Sequence, residues 1–160
     1  MTAARQHIVC TACGAVNRVP VSASLAKGKC GTCAAPLAVT RPVDIDARIL
    51  QRLLARDEGV FLLDVWAPWC GPCRMMAPAY AEAAARFSGK LRFLKTDSEA
   101  NPEVSARLPV RGIPALFLFK AGRIADQRSG AMTAPALVKW LSTVPALASI
   151  SATSMEGTRQ

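Results

Sequence analysis

All six cysteines of this 160-residue chain fall into Cys-x-x-Cys pairs, a spacing that holds two sulfurs in one tight turn. What such a turn can do depends on what surrounds it. Cys70 and Cys73 stand in Trp69-Cys70-Gly71-Pro72-Cys73, shortly after an apolar run and at the head of a helical pattern. Cys10/Cys13 and Cys30/Cys33 lie in short polar loop sequence, with sixteen residues between the pairs. A pair on its own can make and break a disulfide, while two pairs together can hold a metal ion.

The rest of the chain supports a packed domain. Hydrophobic residues make up 51%, enough for a core and too many for a disordered chain. Asp44 is expected to cap a helix whose apolar face is Ile45, Ile49, Leu50, Leu53 and Leu54. Val60 to Val65 reads as a strand buried in the middle of a sheet. Cys70 to Phe87 reads as a helix, kinked where Pro78 removes a main-chain hydrogen bond to Arg74. Leu91 to Thr96 is a strand and Pro102 to Leu108 a short helix. Ala115–Lys120 and Arg123–Arg128 form a hairpin through Ala121-Gly122. Thr133 caps a closing helix to about Leu141, with Pro135 in its first turn. The order βαβαββα behind a leading helix predicts a three-layer α/β fold around a mixed central sheet. Residues 8–39 read as a compact ribbon, 39–43 as a linker because of Pro42, and the stretch after Pro145 as a frayed tail. The expected division is 1–40, 41–146 and 147–160.

Charge and export signals narrow the class. The net charge is +9, and residues 1–43 carry Arg5, Arg18, Lys27, Lys29 and Arg41 without a single acid. Four thiolates around a divalent ion would offset part of that charge. A clustered aromatic–basic surface is absent, so nucleic acid is not an expected partner. The best apolar run, Ile113 to Phe119, is strand-sized and does not suggest a membrane span. Met-Thr-Ala-Ala-Arg-Gln-His leads straight to Cys10 without an apolar signal core, which favours a cytoplasmic protein. A secreted disulfide framework fits less well, because residues 44–145 can build a core without it and metal thiolates need a reducing compartment.

The Cys70 turn has the ingredients of a nucleophile. A sulfur at a helix start faces unsatisfied N–H groups and the positive end of the helix dipole, which stabilise a thiolate. The Cys73 N–H is the natural donor to that sulfur. Gly71 lets a partner chain approach, and Pro72 stiffens the turn where its missing N–H does no harm. Met75 and Met76 are expected to pack in the core.

The run Asp64-Val-Trp66-Ala-Pro-Trp69-Cys70-Gly71-Pro72-Cys73-Arg74, followed by Ile113-Pro114 and Gly130-Ala131, resembles the thioredoxin family over about residues 44–145. The resemblance implies a thioredoxin fold and a protein-disulfide reductase. It implies Cys70 as attacking thiolate and Cys73 as resolving thiol. Asp64 would be a buried carboxylate beneath the pair, its raised pKa suited to proton transfer, with Lys95 near it. Pro114 would be a cis-proline opposite the active turn, leaving the Ile113 backbone free to pair with a substrate strand. Trp69, Gly71, Pro72, Ile113, Gly130 and Ala131 would form the docking surface around it, and Trp66 would belong to the core. The implied partners are disulfide-containing clients and an NADPH-dependent thioredoxin reductase, with a monomeric chain and no organic cofactor. Val65 and Ala115 depart from the commonest family pattern.

Cys10, Cys13, Cys30 and Cys33 fit a four-cysteine zinc ribbon. Gly14 permits the tight turn after the first pair, while Ala34 makes the turn after the second less typical. A segment this poor in large apolar residues needs a staple, and one structural Zn²⁺ would supply it. Iron or two disulfides would use the same residues, and His7 is expected at the surface. With Cys10-Thr-Ala-Cys13 and Val16-Asn-Arg-Val-Pro20, the segment is similar to the zinc-containing, ribbon-bearing branch of bacterial thioredoxins. In an alternative reading, oxidation ejects zinc and the ribbon is a redox-sensing or partner-binding element.

Overall fold

The computed structural model describes residues 4–21 and 25–148. Two sheets organise it. The small one pairs β1 (Arg5–Val9) antiparallel with β2 (Val16–Pro20). The large one has five strands in the order β3-β5-β4-β6-β7. These are β3 (Val43–Asp44), β4 (Val60–Trp66), β5 (Arg92–Asp97), β6 (Ala115–Lys120) and β7 (Arg123–Ser129). β3, β5 and β4 run parallel, β6 is antiparallel to β4, and β7 closes the hairpin. Ala121 and Gly122 both take positive φ, 52° and 78°, as a two-residue hairpin requires.

Alternation along β4 decides which side chain faces which layer. Phe61, Leu63 and Val65 pack against Ile49, Leu50 and Leu53 of α1 (Ala47–Arg56) and Val104 of α3 (Pro102–Arg107). Leu62 faces Met76, Tyr80 and Ala83 of α2 (Gly71–Arg86) and Leu137 and Leu141 of α4 (Ala134–Thr143). The buried Tyr80 hydroxyl donates to Leu94 O at 2.8 Å, tying α2 to the sheet. Thr133 caps α4, accepting from Ala136 N at 3.2 Å.

Three expectations need correction. Asp44 caps no helix. It lies in β3, paired with Lys95, and Asp46 is the cap, its Oδ1 accepting from Ile49 N at 2.9 Å. The leading unit is therefore strand then helix, and Val43, expected in a linker, belongs to the large sheet. Two residues of strand, one of them an exposed acid, leave no period to read. Met75 is not a core residue: it is 79% exposed, while Met76 next to it is buried. The expected tail starts too early, because a short turn at Pro145–Leu147 buries Leu147 in the core. Residues 149–160 lie outside the described residues.

The ribbon docks on the main domain through β1. Val9 joins the α1-side core. Its N–H donates to Asp57 Oδ1 at 2.8 Å, and Glu58 exchanges bonds with His7, N–H to side chain at 2.7 Å and N–H to carbonyl at 2.8 Å. Buried Asp57 also holds Arg92 of β5 through two bonds, at 2.9 and 2.7 Å. Gly59 fits between: a Cβ there would lie 2.8 Å from both Arg92 Nη2 and Ile8 Cδ1.

Candidate redox site and cysteine cluster

β4 delivers the redox turn. Four residues past its end, Cys70 is the N-cap of α2, and its Sγ accepts from Cys73 N at 3.2 Å. The helix therefore begins with a sulfur doing what a cap oxygen usually does, satisfying an orphan donor. Cys70 and Cys73 are joined by a disulfide, and both are nearly buried. The Ile113–Pro114 bond is cis, and Ile113 O lies 3.8 Å from Cys70 Sγ. Cys70, Cys73 and Ala67 form a small apolar cluster with Trp66 and Ile113, apart from the two main cores.

Around this cluster the surface is open. Trp69 is 64% exposed, its indole N–H donating to Glu99 Oε2 at 2.9 Å. Pro72, Gly130 and Ala131 are exposed, Gly71 and Ile113 half-buried, and Pro114 buried. A Cβ at Gly71 or Gly130 would meet nothing within 4 Å, so the chain there borders free space.

Asp64 sits in β4 with Lys95 as its register partner on β5. Its Oδ1 is buried without a hydrogen-bond partner. Burial pushes its carboxyl up from 3.8 to about 7, against the pull of Lys95 and with a push from Asp44. Lys95 makes no ion pair with Asp64 among the described residues. Its ammonium lies 4.5 Å from the centre of the half-buried Trp66 ring.

The ribbon cysteines obey a different geometry. Their ligand atoms all lie within 4.8 Å of one another. The sulfur contacts run between the pairs, Cys10 to Cys33 at 3.7 Å and Cys13 to Cys30 at 3.6 Å. Each turn repeats the same bonds. Ala12 N donates to Cys10 Sγ and Thr32 N to Cys30 Sγ, both at 3.4 Å. Gly14 N closes on Cys10 O at 2.8 Å and Ala34 N on Cys30 O at 2.9 Å. Both closing residues are left-handed, with φ of 83° at Gly14 and 67° at Ala34. The expected irregularity at Ala34 is thus a residue held in the glycine conformation. Burial pushes the Cys10 thiol up to about 12, while N–H groups of Cys33 and Thr32 and the Asn17 amide pull Cys30 down to about 6. Four sulfurs facing one another, met by N–H donors and by no acid among the described residues, suit a thiophilic cation. His7 stands apart, 3.5 Å from Glu58.

Sequence reasoning missed Glu99, Asp57, Arg92 and the role of Asn17. An Asp-Glu pair after a helix reads as surface, yet Asp57 is buried, held between Val9 of the ribbon and Arg92 of the large sheet.

A helix-capping, disulfide-bonded pair beside a cis-proline on a mixed α/β sheet defines a thiol–disulfide oxidoreductase. The thioredoxin family profile matches residues 43–143, and the N-terminal ribbon profile of thioredoxin 2 matches residues 9–35. The chain belongs to the thioredoxin family, in the form that carries this ribbon. It is 38% identical over 134 residues to thioredoxin C-3 of Corynebacterium nephridii, covering 84% of this chain and 92% of that one. It is 42% identical over 87 residues to thioredoxin 1 of Nostoc sp. strain PCC 7120, covering 54% and 80%. The crystal structure of chloroplastic thioredoxin z superposes with a TM-score of 0.59 at 25% identity, covering 68% of this chain and 97% of that one. The Malassezia sympodialis thioredoxin Mala s 13 shares the fold, with a TM-score of 0.59 at 24% identity over 67% and 93% of the two chains. The chain is a protein-disulfide reductase working through the Cys70/Cys73 pair, and its four ribbon cysteines are positioned to bind a metal ion. No described helix is long and apolar enough to cross a membrane.

Proposed function

We propose the following division of labour within the reductase. Cys70 thiolate attacks one sulfur of a client disulfide, so that a Cys70–client bond forms as the client's own S–S bond breaks. The departing client sulfur takes up a proton. Asp64 then accepts the Cys73 proton, and Cys73 attacks Cys70 Sγ, which releases the second client thiol and leaves the Cys70–Cys73 disulfide. Two electrons pass from the dithiol to the client, and an NADPH-dependent thioredoxin reductase returns them. The observation that carries this assignment is the Cys73 N–H aimed at Cys70 Sγ at a helix start, which lowers the cost of charge on that sulfur and not on its neighbour. The orphaned Asp64 Oδ1 and its pKa of about 7 support the proton role. Lys95 opposes part of the burial effect and tunes that value.

Trp69, Gly71, Pro72, Ile113, Pro114, Gly130 and Ala131 line the docking surface for an extended client segment. We assign Cys10, Cys13, Cys30 and Cys33 as ligands of one structural Zn²⁺, residues 1–40 as the ribbon unit, and a monomer in a reducing cytoplasm as the working form. The ion, when bound, supplies the cross-link that this core-poor segment lacks.

The test is reduction of insulin-type disulfides with reductase and NADPH. Cys70→Ser should abolish turnover, and Cys73→Ser should accumulate mixed disulfides visible by mass spectrometry. Full turnover by the Cys70→Ser protein would overturn the assignment.

A further inference from the structure

The two cysteine turns repeat each other, yet they are not equally supported. The first is backed by the main domain: Arg52 Nε donates to Gly14 O at 3.0 Å, and a Cβ on Gly14 would lie 3.3 Å from Ile49 Cδ1. The second projects outward. Residues 31–34 are all exposed, Cys33 among them, and Ala34 holds a left-handed φ of 67° without glycine's freedom. Besides the cysteines themselves, the Asn17 side chain reaches across to it. Asn17, on β2 opposite Ile8, makes three bonds within the cluster. Its Oδ1 accepts from Gly31 N at 2.9 Å, and its Nδ2 donates to Cys30 Sγ at 3.5 Å and to Ala15 O at 3.3 Å.

Those partners fix the orientation of the amide. Gly31 N can only donate and Ala15 O can only accept, so the oxygen must face Gly31 and the nitrogen Ala15. The N–H₂ group is thereby aimed at Cys30 Sγ as a donor. We propose that Asn17 is a positioning residue of the metal cluster, clamping the second cysteine turn to the β1–β2 hairpin and donating to the Cys30 sulfur. The proposal rests on the reading of these cysteines as metal ligands. Four thiolates on one divalent ion leave excess negative charge on sulfur, and a neutral donor stabilises it without competing for the metal. A carboxamide can take a main-chain N–H with one end and offer N–H to sulfur with the other, as Asn17 does. Asp supplies only the first function, and Ala neither.

The test uses the full chain, loaded with Zn²⁺ or Co²⁺ under reductant. Three quantities are read: metal per chain, rate of loss to a chromogenic chelator, and the energy of the thiolate-to-Co²⁺ charge-transfer band. The intact protein should hold one ion. Asn17→Ala should lose it about 10- to 100-fold faster, as outer-shell changes at metal sites do, with the band moved to lower energy because one sulfur has lost its hydrogen bond. Asn17→Asp separates the two functions, since it keeps the bond from Gly31 but removes the donor and adds charge beside sulfur. It should release metal at least as fast as Asn17→Ala. Arg18→Ala, at an exposed neighbour on the same strand, should match the intact protein. Retention and band energy unchanged in both Asn17 variants would overturn the proposal. Asn17→Asp behaving as the intact protein would overturn the donor role. An intact protein that binds neither ion would overturn the metal reading itself, a result distinct from the other two.

Discussion

The redox turn and the ribbon turns share a four-residue spacing and resolve it in opposite ways. At Cys70 the chain continues into a helix, and the sulfur looks inward to its own partner, Cys73. At Cys10 and Cys30 a left-handed residue folds the chain back, and each sulfur looks outward to the other pair. The residue four positions past the first cysteine carries the difference. Arg74 N bonds Cys70 O within a helix that goes on to Arg86, whereas Gly14 N and Ala34 N make the same bond and stop. Closure within a turn gives a bond that can open and reform; closure between turns gives a cage. Identical spacing therefore says little until the next residues are read.

The sharpest way to break this comparison is to exchange losses. Cys70→Ser should abolish disulfide reduction while leaving the metal content of the protein intact. Cys30→Ser should do the reverse, releasing metal while retaining reduction within a few-fold, because the catalytic pair is closed within its own turn. Metal analysis and insulin reduction on the two variants check both halves. Loss of reduction by Cys30→Ser in a folded protein would mean that the cage governs the redox turn, as a sensing ribbon requires.

The next largest effect concerns the joint between the two regions. Asp57 accepts from Val9 N of the ribbon and from Arg92 of the large sheet, and both charged side chains are almost fully buried. Removing one member of a buried pair strands the other, at about 3–5 kcal/mol. Asp57→Ala should therefore lower urea-denaturation stability by about that amount and speed hydrogen exchange in β1. Asp57→Leu combined with Arg92→Met should recover only part of the loss, because it removes the stranded charge but still leaves the buried Val9 N–H without its acceptor. A loss confined to ribbon exchange, with the main transition unmoved, would make the joint an accessory of the ribbon alone.

The regions also differ in charge. Residues 1–43 contain no acid, while the redox turn has Asp64 nearby in its strand. The folded protein keeps the Asp64 proton up to about pH 7, whereas the unfolded chain releases it near 3.8. Between those values the unfolded state binds fewer protons, so stability falls as pH rises and the penalty is complete above pH 7. Asp64→Asn should remove that slope and raise stability at pH 8 by on the order of 2–4 kcal/mol, because each tenfold difference in proton affinity between the two states is worth about 1.4 kcal/mol. It should also slow the resolving step. Denaturant titrations at pH 5 and pH 8 on both proteins check the slope.

The redox region was largely legible because its signals are local and coincide: an apolar strand, Gly-Pro between cysteines, a helical period behind them and a distant Ile113-Pro114. The sheet strand at Val43–Asp44 was not, since two residues carry no period. Neither was the exposure of Met75, because a methionine at the start of a helix looks the same whichever way it points. That the four ribbon cysteines come together was legible from two pairs set in short polar loops, and their sulfurs do lie within 4.8 Å of one another. The ribbon's attachment was not, because Asp57 and Arg92 are 35 residues apart and become a buried pair only in the folded chain. Local chemistry is written in local sequence, while joints between distant elements are not.

The smallest expected effect probes how the redox turn is held from outside. Side chains of Arg52 and Asn17 brace the ribbon turns, and exposed Trp69 beside Cys70 is likewise tethered by a side chain, Glu99 Oε2 accepting from its indole N–H at 2.9 Å. Both partners are exposed, so the bond adds little to stability; it holds a large apolar ring beside Cys70, on the surface proposed to dock clients. Glu99→Ala frees the ring without removing it. A client must then pay for ordering it, a cost comparable with one ordinary hydrogen bond of about 0.5–1 kcal/mol. KM for a protein disulfide should rise about two- to five-fold at unchanged kcat, with metal content untouched. A fall in kcat instead would move Glu99 from the docking surface to the chemistry of the pair.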